Sequence, residues 1–228
     1  MRTSEIIRYK NTLEDLLSLK VNSYCDLGPG RGETAIELKK AGKNVSVLEA
    51  PWDFETRTSW APENNITAYK GDFFTTVFNE TIHENIDCFS LIHAIAHFRF
   101  PPQLLLEQVF KKLKSGGYFY LSTVNGGSLM NLIELAKGKA LTGEVHKFVD
   151  MGEEYRTFCN PSGRYMIWDS WEHVKEYRDF ELKKMFESEG FEIISLKHRN
   201  NITEWKSTLL SNFWPHLSEE IVIIGRKP

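Results

Sequence analysis

Residues 24–33 read YCDLGPGRGE, with glycines at 28, 30 and 32. Residues 22–27 read as a strand that runs into this loop, and Glu33–Lys40 reads as a helix stopped by Gly42. Glycines between a buried strand and a helix let the chain turn without a Cβ clash and let a ligand touch the main chain. The helix behind them offers free amide hydrogens and the positive end of its dipole. The spacing here is GxGxG, Gly28-Pro29-Gly30-Arg31-Gly32, not the GxGxxG of dinucleotide loops. Asp26 stands two residues before Gly28. A carboxylate there repels a pyrophosphate but suits a ligand carrying an ammonium and a sulfonium, which points to S-adenosylmethionine rather than a nicotinamide dinucleotide.

The surrounding periodicity gives an α/β rhythm. Residues 3–19 carry apolar residues at helical spacing, and Val45–Leu48, Ile66–Tyr69 and the run from Ile86 to His97 read as strands or strand exits. Pro101-Pro102 open a helix, QLLLEQVFKKLKS, which Gly116-Gly117 should end, and YFYLSTV follows as a strand. Continuous apolar strands of this kind predict a sheet covered on both faces. Residues 126–178 break the rhythm with Phe148, Tyr155, Phe158, Tyr165, Trp168 and Trp171, the pattern of a lid or substrate insertion. FELKKMFESEG then reads as a helix, FEIISLKH as a strand, ITEWKSTLLSNFW as a helix and EEIVIIGRKP as a last strand. The whole, 1–228, is expected to be one domain, with 1–20 as an N-terminal helix.

Bulk properties narrow the function. A net charge of −3 excludes nucleic-acid binding driven by a basic surface. Three cysteines, Cys25, Cys88 and Cys159, make no disulfide framework and no metal-ligand spacing, so a reducing, cytoplasmic setting is expected. The charged N-terminal stretch is not expected to act as a signal peptide, and no apolar run reaches the roughly 20 residues of a membrane span. The expected partner is a small-molecule acceptor, with the chain a monomer or homodimer.

Two further acids join Asp26 at the ends of successive strands. Glu49, followed by Ala50, is placed where one carboxylate can accept from both ribose hydroxyls. Asp72, in GDFF, can accept from an adenine amino group, with Phe73 against the purine. The segments CDLGPGRGE, VLEAP, GDFF and LKSGGYFYLSTVN resemble the successive motifs of class I S-adenosylmethionine-dependent methyltransferases. HVKEYRDFELKKMFESEGFEII and STVNGGSLMN are similar to segments of the ubiquinone-biosynthesis type and of sugar and small-molecule O-methyltransferases. The resemblance implies a Rossmann-like, seven-stranded, mostly parallel sheet with helices on both faces and an antiparallel last strand. It implies cofactor contacts from Asp26, Gly28, Pro29, Gly30, Gly32, Glu49, Ala50, Asp72 and Phe73, with His93 and Ala94 flanking the methionine part.

Methyl transfer to oxygen or nitrogen needs positioning of the nucleophile and often a base, for which histidine is suited. His97 is the first expectation, since it follows the fourth strand and matches the histidine of the family's Glu-His pair. His173, in the lid stretch WDSWEHVKEY, is the second, and His146 is a weaker candidate. Quinone-type relatives carry metal-assisting acids where this chain has His93 and Ala96, so no metal is expected. Arg156 and Arg164 are placed to meet a phosphate or carboxylate on the acceptor. An N-methyltransferase acting on an amino sugar or small amine, and a non-catalytic cofactor-binding subunit, stay open on the same scaffold.

Overall fold

The computed structural model describes residues 3–51, 54–71, 85–98, 100–141, 173–201 and 213–228. Helix α1 (Thr3–Ser18) precedes β1 (Ser23–Leu27), α2 (Glu33–Lys40) and β2 (Asn44–Glu49). The short α3 (Phe54–Arg57) leads to β3 (Thr67–Lys70), and β4 (Ile86–Ile92) is followed by α4 (Gln103–Lys112) and β5 (Leu113–Val124). Then come α5 (Leu129–Ala136), α6 (Asp179–Ser188), β6 (Glu192–Arg199) and β7 (Glu220–Arg226). All seven strands join one sheet in the order β3-β2-β1-β4-β5-β7-β6. Pairings from β3 through β5 are parallel, and β7 lies antiparallel between β5 and β6. This is the expected Rossmann-like sheet.

Strand alternation divides the core into two layers. Cys25, Leu27, Phe89, Leu91, Phe119, Leu121, Ile221 and Ile223 pack against Leu105, Leu106 and Val109 of α4 and Leu182, Met185 and Phe186 of α6. On the opposite face, Tyr24, Val47, Cys88, Tyr120, Val222 and Ile224 meet Leu16 of α1 and Ala35 and Leu38 of α2. Buried strand residues thus require helices on both sides, which the chain supplies from its two ends and its middle. Cys25 and Cys88 are buried free thiols, and no helix among the described residues is long and apolar enough to cross a membrane.

Two element boundaries differ from expectation. Helix α4 stops at Lys112 rather than at Gly116-Gly117, because Leu113 is already extended (φ −66°, ψ 142°) and pairs with Ile86. The two glycines instead serve an irregularity inside β5, where the register passes from Ile86↔Leu113 to Cys88↔Tyr118. Residues 126–178 are not wholly an insertion loop: they contain α5, and residues 173–178 return beside the exit of β5, where Asn125 bridges to Tyr177. His146, Arg156, Arg164, the aromatics from Phe148 to Trp171 and nearly all of the ITEWKSTLLSNFW stretch lie outside the described residues.

Candidate cofactor and acceptor site

The sheet changes direction between β1 and β4, since the chain runs outward from β1 through β2 to β3 and then resumes at β4 on the other side. Ligands of open α/β sheets bind beyond the carboxyl ends of the strands at such a switch. The glycine loop lies at this point. Gly28, Gly30 and Gly32 have φ of 66°, 59° and 78°, a conformation that side chains disfavour, which accounts for all three glycines. Gly28 N donates to Leu48 O at 2.9 Å, fastening the loop to β2. Gly32 caps α2, and Ile36 N donates to its carbonyl at 2.8 Å.

Trp60 braces this loop. Its Nε1 donates to Arg57 O at 2.5 Å and reaches Gly30 O at 3.4 Å, while a Cβ on Gly32 would meet the indole at 2.4–2.5 Å. Nothing lies within 4 Å of a Cβ built on Gly30, so that side of the loop is open for a ligand. Gly32→Ala combines left-handed strain with displacement of the indole. It is expected to lower stability by about 2–4 kcal/mol, read as a fall in Tm; an unchanged Tm would show that the indole does not hold this position.

Asp26 and Glu49 stand beside the loop as buried carboxyls. Asp26 is 2% exposed, and Ser90 Oγ, its register partner on β4, donates to its Oδ1 at 2.6 Å. Burial pushes the Asp26 carboxyl up to about 7, the Ser90 bond opposes this, and the charges of Glu49 and Glu33 add to it. Glu49 ends β2, is 5% exposed, and accepts from Ala50 N at 2.9 Å. These groups fit S-adenosylmethionine: the open loop and the amino end of α2 for its carboxylate, the two acids for its cationic part and its ribose diol. A pyrophosphate would face both acids. Asp72 and Phe73 lie outside the described residues.

A cavity of about 270 Å³ opens at the same rim, over the ends of β4 and β5. Its wall includes Arg8 of α1, His93, Asn131, Glu176, Asn201 and Glu220. His93 Nε2 lies 2.7 Å from Glu220 Oε1, and Glu220 Oε2 accepts from Asn201 Nδ2 at 3.0 Å. Burial draws the His93 pKa below its ordinary value against the pull of Glu220. Burial opposes the charge on Glu220, but the bonds from His93 and Asn201 and the Arg199 guanidinium outweigh it and keep that carboxyl below the usual range. His93 therefore turns toward β7 and the cavity rather than the glycine loop.

The two histidines expected to serve as bases meet in space. His97 ends a 3-10 turn, Ile95–His97, and its ring centroid lies 5.0 Å from that of His173, edge to face. Val174 N donates to Ala96 O at 2.7 Å and so holds the return segment against that turn. His173 Nδ1 lies 2.9 Å from Glu176 Oε1, and Asn131 Nδ2 donates to Glu176 Oε2. Glu220, Glu176, Arg8, Asn201 and Trp60 were not singled out from the sequence. Only Glu220 carried a signal, as a charge heading an otherwise apolar strand. Among the described residues no group of three or more His, Cys, Asp or Glu is placed to hold a metal ion.

Comparison with known proteins agrees with this geometry. The family pattern described as a methyltransferase domain matches residues 2–196. None of the curated proteins matches the chain. Among solved structures, a SAM-dependent methyltransferase from Archaeoglobus fulgidus is similar at a TM-score of 0.63 and 17% identity, covering 98% of this chain and 94% of its own. Magnesium protoporphyrin IX methyltransferase from Synechocystis PCC 6803, solved with bound SAH, is similar at 0.60 and 14%, covering 99% and 84%. A Thermotoga maritima methyltransferase, described as a possible histamine N-methyltransferase, is similar at 0.57 and 17%, covering 96% and 89%.

Proposed function

The chain belongs to the methyltransferase-domain family, and on that premise we propose that it is a single-domain, S-adenosylmethionine-dependent enzyme that methylates a hydroxyl of a small polar molecule, such as a sugar or glycan precursor. The observation that carries this reading is the cavity over the ends of β4 and β5, on the same edge of the sheet as the glycine loop, with His93, Arg8, Asn131 and Asn201 in its wall. Arg8 Nε and Asn201 Oδ1 are buried there without a hydrogen-bond partner. They offer one donor and one acceptor, the pair a hydroxyl satisfies.

When bound, the cofactor supplies an electrophilic sulfonium methyl. The chain's part is to hold it and to orient and desolvate the acceptor. The glycine loop, Pro29, Ala50 and Glu49 grip the nucleoside side, and Asp26 places negative charge near the cationic part. Asp72 and Phe73 complete the adenine contact on this reading, and Ala94 borders the methionine part. The proton of the acceptor goes to a histidine at the β4 exit, where His93, His97 and His173 gather.

Calorimetric titration with S-adenosylmethionine, S-adenosylhomocysteine and NAD tests this directly. Micromolar binding of the first two and none of NAD is expected; binding of NAD alone would overturn it, and binding of neither would favour a non-catalytic module. Glu49→Ala should weaken both nucleosides by about 1–3 kcal/mol, roughly ten- to hundredfold. A second reading has its own support: among the described residues Glu176, Glu219 and Glu220 line the cavity with the Arg8 guanidinium, and Arg199 stands behind Glu220 at 3.9 Å. That balance suits an ammonium-bearing acceptor and hence N-methylation. Assaying D-glucose and D-glucosamine side by side, with the methylated atom identified, separates the two.

A further inference from the structure

We propose that His93 is the general base of this site, fixed in that role by Glu220, and that the proton of the acceptor hydroxyl goes to His93 Nδ1. This rests on the methyl-transfer reading above and names the histidine that takes the proton.

His93 is the first residue after β4, at the switch between β1 and β4. Its φ is +54°, a value uncommon for residues other than glycine. Such strain persists where the surroundings dictate it, and it gathers at functional sites. Here the backbone is held by His93 N donating to Ser122 O at 2.9 Å, and the ring by Glu220 at 2.7 Å. Glu220 is 1% exposed and is itself fixed by Asn201.

The proton's place follows from the partner. An ionised carboxylate only accepts, so the hydrogen of a neutral His93 must sit on Nε2, facing Glu220. Nδ1 is then the lone-pair nitrogen, and the ring lines the cavity. The charged or titratable groups around it are Glu220 on β7, Arg8 on α1, and His173 on the return segment. Glu176 and Glu219 stand in the same cavity wall. Burial, and after it the charges of Arg8 and His173, draw the His93 pKa down, while Glu220 stabilises the imidazolium once it forms, as a carboxylate does for a histidine base. By contrast, neither His97 nor His173 lines the cavity, and His173 already spends Nδ1 on Glu176.

The step balances in one displacement. The O–H bond of the acceptor breaks toward Nδ1, the oxygen bonds to the methyl carbon, and the C–S electron pair leaves on sulfur. The products are the methyl ether, S-adenosylhomocysteine and His93 imidazolium, which returns its proton to water.

The first test needs no acceptor. Nitrogen NMR of full-length, 15N-histidine-labelled protein is expected to show His93 protonated at Nε2 and bare at Nδ1 near neutral pH, with that preference lost in Glu220→Gln. His93→Asn assigns the signal, because asparagine also tolerates left-handed φ. A proton on Nδ1 in the wild type would overturn the proposal. The second test follows tritiated-methyl transfer to D-glucose, D-glucosamine and catechol, beside calorimetric binding of S-adenosylhomocysteine. His93→Asn should cut turnover roughly a hundred- to ten-thousandfold and leave S-adenosylhomocysteine affinity unchanged. Affinity falling in step with turnover would make His93 a cofactor contact instead, and unchanged turnover would also overturn the proposal. Wild-type protein that binds no S-adenosylhomocysteine would sink the methyl-transfer reading, while the tautomer would still decide whether Glu220 fixes His93.

Discussion

Asp26→Asn is expected to stabilise the cofactor-free protein at neutral pH while weakening S-adenosylmethionine binding. In the fold the Asp26 carboxyl is pushed from its ordinary 3.8 up to about 7, chiefly by burial. A raised carboxyl pKa means that the folded state holds a proton that the unfolded chain gives up. The stabilising contribution of that proton is complete below about 4 and is lost as pH rises through about 7. The gap corresponds to on the order of 4 kcal/mol at higher pH. Asparagine copies the protonated carboxyl in shape, and its Oδ1 can still accept from Ser90 Oγ. The stability gain of the variant should therefore be small near pH 4 and grow to its full size above pH 7, measured by urea unfolding across that range. Cofactor binding should behave oppositely. A cationic ligand near a buried carboxylate draws the proton off, so wild-type affinity should rise with pH up to about 7 and then level. The variant should lose that slope and bind roughly ten- to hundredfold more weakly at pH 8. A wild type whose affinity ignores pH would mean that Asp26 does not sense the ligand.

The same residue shows what a sequence can reveal here. Asp26, the three glycines and Glu49 were readable as candidates because they are local: a strand, its exit and the next helix lie within one βαβ unit, and open α/β sheets take ligands at such exits. The seven-stranded sheet and its antiparallel last strand came through the motif resemblance, while the strand order did not. The acceptor side was far less readable, because it is assembled from elements distant in sequence. Glu220 reaches His93 only because β7 runs antiparallel, which brings its first residue to the rim where the parallel strands end. Arg8 reaches the cavity only because α1 packs across that end of the sheet. Neither fact follows from a local pattern. The early start of β5 was hidden for a related reason: helical periodicity runs on through Leu113, while the pairing with Ile86 that ends the helix is non-local. His97 and His173 were each readable as a candidate, but their contact depends on the return segment docking at Ala96.

That docking supplies the second large effect. Gly126→Ala should abolish most turnover, and Gly127→Ala, one residue on, should be mild. A Cβ on Gly126 would lie 2.8 Å from Glu176 O and 3.2 Å from its carbonyl carbon, a backbone wall that can yield only if the return segment moves. A Cβ on Gly127 would lie 2.6 Å from the Arg178 guanidinium, the far end of a side chain that can swing away. Neither glycine has positive φ, so the contrast is one of space rather than backbone strain. Overpacking at Gly126 should cost about 1–3 kcal/mol of stability. The larger consequence is positional. Gly126 N donates to Tyr177 O at 2.9 Å, and the segment held there carries Glu176 into the cavity wall and His173 against His97. Displacement by about 1 Å at a site of this kind can cost roughly a hundredfold in rate. S-adenosylhomocysteine affinity should stay near wild type in Gly126→Ala, because the glycine loop and Glu49 stand at the ends of β1 and β2, with β4 between them and the β5 exit that leads to Gly126. Equal losses in the two variants, or full turnover in Gly126→Ala, would detach the return segment from the chemistry and leave the cavity wall of β4, β7 and α1 to act without it.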